Sequence, residues 1–176
     1  MYKPNSIYAE LALMTIERFL NKKSLDTIEK YKSMDEMKKS SACFVSIYSN
    51  GYLRGCIGTI FPFRDTLYDE IVGNAIAAST EDPRFIPMTA AELEEIEVSV
   101  DVLSEPEKVT SVEELNLEKY GIIVSDGKNN KGVLLPDLEG IDTVEEQIAI
   151  AKAKAGLKNV DMSRLELYRF SAQRYR

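Results

Sequence analysis

The sequence contains no histidine, and this absence limits the chemistry that the chain can perform. It excludes a serine or cysteine nucleophile that depends on a histidine base, and it excludes zinc and iron sites that need an imidazole ligand. Only Cys43 and Cys56 could act as soft metal ligands, so this chain alone cannot make a structural zinc site. Any metal would have to be a hard cation held by carboxylates. We predict no metal site and no cofactor.

Other scarcities restrict the compartment and the partners. Two cysteines do not make a disulfide framework, so a reducing compartment is expected. No stretch approaches the roughly 18 apolar residues of a membrane span, and the polar start at residues 1–4 is not followed by the apolar segment of a secretory signal. The formal charge of −7 argues against nucleic acid and against an anionic membrane. We expect a cytoplasmic protein.

The length and composition of the chain are those of one domain with an ordinary hydrophobic core. The chain has 176 residues, of which 44% are apolar and 29% charged, as in globular proteins of this size. Helices are expected from Ser6 to Leu20 and from Asp65 or Thr66 to about Thr80, and three Ser/Thr-x-x-Glu capping boxes open shorter ones. Hairpins occur between these helices. The pattern predicts an α+β fold with a largely antiparallel sheet.

The stretch from Leu53 to Thr59 reads Leu-Arg-Gly-Cys-Ile-Gly-Thr and places two glycines inside a predicted strand. Glycine within a strand often marks a bulge, or a point where a ligand or another backbone comes close. The strand before it runs from Cys43 to Tyr48, and the two are joined by Asn50-Gly51, the strongest short-range hairpin signal. The stretch is therefore expected to be the return strand of a hairpin.

A two-residue turn fixes the expected register of this hairpin. It places Ile47 opposite Arg54 and Val45 opposite Cys56, so that these four side chains and Cys43 share one face. Cys43 would then lie opposite the second glycine and only diagonal to Cys56, about 7–8 Å away, which is beyond an unstrained disulfide. Two free thiols are predicted.

Cys56 is the residue whose type and surroundings best suit covalent chemistry. A free thiol has a pKa near about 8.5, so a nearby cation is needed to favour the thiolate at neutral pH, and Arg54 is two residues away on the same predicted face. The alternative is a buried structural thiol. Asp82 could serve as a general base if it is buried, although a carboxylate before a proline more often ends a helix.

The two arginines offer a different use of the same region. Arg54 and Arg84 could bind a carboxylate or a phosphate, while Gly55 and Gly58 would let backbone N–H groups reach that ligand. For Arg84 the alternative is a structural salt bridge with Asp82 or its neighbour Glu81.

Several stretches occur in the order found in one known family. They are Leu53-Arg-Gly-Cys-Ile-Gly-Thr59, Asp82-Pro-Arg-Phe85, Ile96-Glu-Val-Ser-Val100, Gly132-Val-Leu-Leu-Pro136 and Lys154-Ala-Gly-Leu157. Together they resemble the AMMECR domain family, which in prokaryotes is also called AmmeMemoRadiSam system protein A. The resemblance extends from about Ile7 to Phe170. We therefore expect a single domain of this family that covers residues 1–176.

The resemblance implies an α+β fold with a larger lobe that holds both termini, a smaller lobe, and a cleft between them near the Leu-Arg-Gly-Cys-Ile-Gly strand. We expect the smaller lobe roughly within residues 24–42 and 105–140. The resemblance also implies association with a Memo-like protein, related to extradiol dioxygenases, and with a radical SAM protein. It supplies no settled biochemical activity.

Two functional hypotheses follow. In the first, which we prefer, the protein is a binding module in which Arg54, Gly55, Gly58 and Arg84 hold a small anion or a segment of a partner protein. In the second, it is an enzyme that uses Cys56 as a nucleophile or redox thiol, with Asp82 as a possible base.

Overall fold

The structure is a computed structural model that describes residues 2–176. Its α-helices are α1 (Ile7–Leu20), α2 (Asp35–Lys38), α3 (Leu67–Thr80) and α4 (Val144–Lys154). Its strands are β1 (Cys43–Ser49), β2 (Tyr52–Gly58), β3 (Ile96–Leu103), β4 (Glu107–Val109), β5 (Gly121–Ser125), β6 (Lys131–Leu134), β7 (Glu166–Phe170) and β8 (Ala172–Tyr175). Short 3₁₀ segments cover Asp26–Ser33, Ala90–Glu92, Val112–Glu114 and Met162–Arg164. The α+β prediction is confirmed, with two sheets in place of one.

The first of two compact units comprises, among the described residues, 2–102 and Gln173–Arg176. Its sheet has the strand order β2-β1-β3-β8, and β1 pairs antiparallel with both β2 and β3. Helix α3 packs on β1 and β2, and α1 packs against α3. The largest fully buried side chains of its core include Leu11, Ile16, Ile28, Tyr31, Met37, Ile47, Ile71 and Ile96.

Local sequence explains where the helices of this unit begin. The Ser6 hydroxyl accepts a hydrogen bond from the Ala9 N–H, and the Thr66 hydroxyl accepts one from the Asp69 N–H. Each caps an N–H group that has no partner within its helix. The predicted helices at Ser6 and Thr66 are confirmed. Along α3, the apolar stripe of Leu67, Ile71, Ala75 and Ala78 is buried.

The second unit is Leu103–Ala172. Its sheet has the order β4-β7-β5-β6, with antiparallel pairing of β4 to β7, β7 to β5 and β5 to β6. Helix α4 opens with a capping box at Thr143 and packs on β5 and β6. The approach is closest at Gly132, where an added Cβ would lie 1.9 Å from the Ala151 carbonyl oxygen. The core contains Val109, Leu115, Ile122, Val124, Leu134, Ile148, Ala151 and Leu167.

The two segments expected to form the smaller lobe lie in different units. Residues 105–140 lie within the second unit, whereas residues 24–42 lie within the first and form its 3₁₀ and α2 segments. Strand β3 is buried on both faces, because Ser99 and Asp101 on its polar side are buried as well as most of its apolar residues. Among residues 2–176, no helix has the length and apolar character needed to cross a membrane.

Candidate functional site

The stretch with the two glycines forms β2, at the edge of the first sheet. The turn before it is the predicted one: Asn50 and Gly51 have φ values of 51° and 81°, and Ser49 pairs with Tyr52. Positive φ at both turn positions is what an Asn-Gly hairpin provides. The return-strand prediction is confirmed.

Beyond the turn, the register differs from the prediction because β2 contains a bulge. Tyr48 pairs with Leu53, but Ile47 pairs with Gly55, so Arg54 is the extra residue. Two residues of β2 then oppose one of β1 and the strand bends. Placing Ile47 opposite Arg54 was therefore wrong.

The one-residue slip moves Cys56 to the other face of the sheet. Cys56 pairs with Ser46 and not with Val45, and Gly58 pairs with Phe44 and not with the first cysteine. Since alternate residues of a strand point to opposite faces, the Cys56 side chain lies on the Ser46 face, away from the apolar core beneath Val45. The predicted face shared by Cys56 and Val45 is wrong.

At the two glycines, the backbone of β2 lies in close contact with other parts of the same chain. A Cβ added at Gly55 would lie 2.1 Å from the Ala78 carbonyl oxygen of α3. One added at Gly58 would lie 2.3 Å from the Phe44 ring and 2.7 Å from the Cys43 carbonyl oxygen. The sequence suggested that glycine here permits a close approach, and the approaching groups belong to this chain. The role of Gly55 and Gly58 in ligand binding stays a prediction.

The Asp82 carboxylate covers the free edge of β2. Its side chain is 2% exposed. It accepts hydrogen bonds from the Cys56 N–H at 2.8 Å, the Arg84 N–H at 3.1 Å, and Arg84 Nε and Nη2 at 3.0 and 2.8 Å. Arg84 Nη2 also donates to the Cys56 carbonyl at 3.3 Å. Both main-chain groups of Cys56 therefore have partners, as an adjacent strand would provide.

This arrangement fixes the charge of Asp82. Hydrogen bonds from Arg84 hold the pKa of the Asp82 carboxyl well below its ordinary value, and the Cys56 and Arg84 main-chain N–H groups act in the same direction, while burial opposes them. In return, the Asp82 carboxylate raises the pKa of Arg84. A carboxylate with four donors and a depressed pKa is a poor proton acceptor, so the geometry favours a positioning role for Asp82.

Arg54 belongs to a second ion pair beside the first. Its Nε donates to Glu92 Oε2 at 2.8 Å, and its Nη2 donates to the Ile86 carbonyl at 3.0 Å. The Arg54 and Arg84 guanidinium carbons lie 6.0 and 5.4 Å from the centre of the Phe85 ring. We name Arg54, Asp82, Arg84, Phe85, Ile86 and Glu92 the arginine cluster. Within this cluster, Ile86 is 80% exposed, and its apolar side chain takes no part in the hydrogen bonds.

The two thiols differ in environment. Both are free, as predicted. Cys56 is half-buried, and the Ser46 hydroxyl lies 3.2 Å from its sulfur in donor geometry. Cys43 is fully buried, and this burial raises the pKa of its thiol to about 12. Only Cys56 can therefore meet a reagent or a substrate in the folded protein.

The loop that follows the stretch is anchored by a buried carboxylate. Glu70 of α3 is fully buried and accepts hydrogen bonds from the Thr59 hydroxyl and from the N–H groups of Phe63 and Arg64 at 3.2 and 2.9 Å. The Arg64 guanidinium lies 3.6 Å from the same carboxylate. These bonds anchor the exposed segment that includes Phe63 to α3.

The site residues predicted from sequence thus occur together. Arg54 and Cys56 lie on β2, and Asp82 and Arg84 lie at its free edge, whereas Glu92 and Ile86 were missed. Glu92 is the last residue of one of the three predicted capping boxes, which begins at Thr89 and is present in the structure. Within residues 2–176 there is no group of three or more histidine, cysteine or acidic side chains that could hold a metal ion.

Comparisons with known proteins agree with this architecture. A protein of Thermotoga maritima is 46% identical over 172 residues, which cover 96% of this chain and 97% of that protein. Protein CA_C1420 of Clostridium acetobutylicum is 46% identical over 85% of this chain, but the match covers 32% of its own length. The crystal structure of the uncharacterized protein PH0010 from Pyrococcus horikoshii has a TM-score of 0.83 and 28% identity, covering 98% of this chain and 91% of that one.

The family model described as AMMECR1 matches residues 9–175, which include both sheets and the whole arginine cluster. With that match and the Thermotoga relative, the chain belongs to the AMMECR1 family.

Proposed function

We propose that this protein is a protein-binding module and that the arginine cluster is its contact surface. The observation that carries the proposal is the exposure of Ile86 in a segment that adjoins two ion pairs. The Ile86 carbonyl accepts a hydrogen bond from Arg54, and the guanidinium groups of Arg54 and Arg84 both lie near the ring of the preceding Phe85. Aromatic and arginine side chains beside an exposed apolar group are typical of the residues that dominate protein–protein binding energy.

The charges of the cluster favour a protein over a small ion. Arg54 is paired with Glu92, and Arg84 with Asp82, so the two cations and two anions cancel. A small anion would gain little from such a neutral surface, because each cation already has a carboxylate partner. A protein surface can instead bury Ile86 and leave both ion pairs intact at the rim of the contact.

The candidate partners are the Memo-like protein and the radical SAM protein that family resemblance implies. The module would act by holding one of them through the arginine cluster, and the Memo-like protein is the first to test. The proposal requires no chemistry from the module itself.

The test measures binding of the purified Memo-like protein to the immobilised module by biolayer interferometry. Ile86→Asp is expected to weaken binding at least about tenfold, because the contact would bury a charge without a partner. The matched control is Ile150→Asp, which changes an exposed isoleucine of α4 and should leave binding unchanged. Equal binding by both variants would contradict the proposed surface, and absence of binding by the unaltered protein would reject this partner.

A small anion is the second candidate ligand, and one observation favours it: the Arg84 side chain is 55% exposed. An oxyanion could therefore contact the guanidinium alongside Asp82. Phosphate and short dicarboxylates should then raise the Tm of the protein, and the rise should be absent in Arg84→Ala when each protein is compared with its own ligand-free state. A rise of equal size in Arg84→Ala would exclude Arg84 as the anion site.

The cysteine-enzyme alternative is tested through the reactivity of Cys56. The Ser46 hydroxyl and the Arg84 guanidinium lie near Cys56, but Arg84 is paired with Asp82. Asp82 is fully occupied as an acceptor, and Arg54 is directed to Glu92. No side chain in this arrangement acts as a base for the thiol. The rate of alkylation by iodoacetamide between pH 6 and 9, followed at the Cys56 peptide by mass spectrometry, should not exceed that of a free model thiol. A markedly faster reaction would revive the enzyme hypothesis.

A further inference from the structure

The second unit contains a cavity that the arginine cluster and the proposed function do not use. Its volume is about 510 Å³, and it is lined by Val112, Glu145, Ile148, Ala149, Lys152, Lys158 and Met162. This size lies within the roughly 300–1,000 Å³ of small-molecule sites. All of its lining residues belong to the second unit, so the site is complete within it. We call it the α4 pocket.

The walls of the α4 pocket are held in place by specific bonds. The Lys152 ammonium donates to the Val160 carbonyl at 2.8 Å, which ties the segment after α4 to the helix. Asp161 caps the 3₁₀ turn that contains Met162 by accepting from the Ser163 N–H and hydroxyl at 2.8 and 2.6 Å. The pocket therefore exists before any ligand arrives, and a ligand would not have to order it.

Apolar side chains of the α4 pocket remain open to solvent. Val112 is 42% exposed and Met162 is 37% exposed, although both face a concave surface that also includes Ile148. Exposed apolar groups gathered in a cavity lose contact with water when a ligand binds. Met162 can also adapt its shape to that ligand, because methionine is unbranched and flexible.

The charges of the α4 pocket give it two different ends. Glu145 lies in the first turn of α4, whereas Lys152 lies in its last turn, with Lys158 beyond it. Lys152 has a main-chain carbonyl partner, while Lys158 has no hydrogen-bond or ion-pair partner among residues 2–176. The free cation at this end can pair with a negatively charged group, and Glu145 disfavours such a group at the other.

We propose that the α4 pocket binds a small amphiphilic carboxylate, whose acid group pairs with Lys158 and whose apolar body covers Val112, Ile148 and Met162. Apolar contacts supply most of the affinity, and the lysine sets the orientation. The site is independent of the arginine cluster, because none of its lining residues belongs to that surface.

The probe for the test is decanoate, used below its micelle concentration with the full-length chain. Binding is followed by NMR through the methyl groups of Met162 and Ile148. We expect saturable shifts of these two signals and no shift at Ile86, the exposed isoleucine of the arginine cluster. Decylamine, which has the same apolar chain and the opposite charge, should bind about two- to fivefold more weakly, as expected for exposed charge pairs.

Two variants distinguish binding at the proposed site from nonspecific binding. Lys158→Glu should weaken decanoate binding about two- to fivefold. Lys154→Glu makes the same charge change on an exposed lysine of α4 that does not line the pocket, and it should leave binding unchanged. Equal effects of the two variants would overturn the proposal, as would binding of decylamine as tight as that of decanoate. No saturable shift at Met162 up to millimolar decanoate would also overturn it.

Discussion

Replacing Asp82 by asparagine removes one negative charge from the edge of β2 with almost no change in volume. The side chain is 2% exposed and accepts four hydrogen bonds, three of them from Arg84 and one from the Cys56 N–H. The amide keeps one acceptor oxygen and presents an N–H₂ group where donors now point. Breaking a buried ion pair costs about 3–5 kcal/mol. Because Arg84 is 55% exposed and water can hydrate it in the variant, we expect a smaller loss of about 2–3 kcal/mol at pH 7.

The pH dependence of this loss follows from the depressed pKa of Asp82 in the folded protein. The unfolded chain binds a proton at this group near pH 3.9, whereas the folded protein binds it only at lower pH, so the stabilisation is complete above about pH 5 and declines below it. The difference between the unaltered protein and Asp82→Asn should therefore be constant from pH 7 to 5. Below about pH 3.9 it should shrink by about 1.4 kcal/mol for each pH unit.

Urea unfolding followed by circular dichroism at pH 7, 5 and 3 measures this difference. Asp65→Asn is the matched control, because Asp65 is exposed and its carboxylate has no hydrogen-bond or ion-pair partner among residues 2–176. Hydrogen exchange at the Cys56 amide gives a local readout, since Asp82 is the acceptor for that N–H. A difference below about 0.5 kcal/mol at pH 7, or one that persists unchanged at pH 3, would refute the reasoning.

Three further outcomes follow from the packing. Gly55→Ala should destabilise the protein by about 1–3 kcal/mol or more in urea unfolding, because the new Cβ would lie 2.1 Å from the Ala78 carbonyl oxygen, and near-normal stability would contradict that contact. Glu70→Gln should cost about 2–4 kcal/mol in the same assay, because buried donors lose a charged acceptor, and a cost below about 1 kcal/mol would show that the loop does not depend on it. Cys43 should react with iodoacetamide only after unfolding in urea, as judged by peptide mass, whereas reaction in the native protein would contradict its burial.

The elements that could be predicted from sequence are those determined by residues that are close together in the chain. Ser6 and Thr66 begin helices because their hydroxyls accept hydrogen bonds from N–H groups within the next three residues. Asn50-Gly51 forms a turn because both residues readily adopt positive φ values. The capping boxes at Thr89, Ser111 and Thr143 are all present, although the first two open only 3₁₀ turns. These features depend on contacts between near neighbours in the chain.

The register of β2 could not be predicted because its cause is distant in sequence. Gly55 packs on the Ala78 carbonyl of α3, and the bulge at Arg54 lets the glycine face that helix. Nothing between Asn50 and Gly58 encodes the position of α3. Since a one-residue slip exchanges the two faces of a strand, this single contact reversed the expected placement of Cys56.

Several members of the candidate site were predicted from sequence, but of its two ion pairs only one was. The salt bridge of Arg84 with Asp82 was one of the two alternatives for Arg84, whereas the pairing of Arg54 with Glu92 was missed. Glu92 uses one oxygen for the Thr89 capping box and the other for Arg54. A capping residue is recognised from a four-residue pattern, whereas its second partner, 38 positions away, is visible only in the folded protein.

The central claim is that the exposed side chain of the arginine cluster binds a partner protein. The most direct measurement compares the Kd of the Memo-like protein for the unaltered module, for Ile86→Asp and for Ile150→Asp. We expect the Ile86 variant alone to lose at least about tenfold in affinity, with all three proteins folded to the same Tm within about 2 °C. Undiminished binding by Ile86→Asp would contradict it.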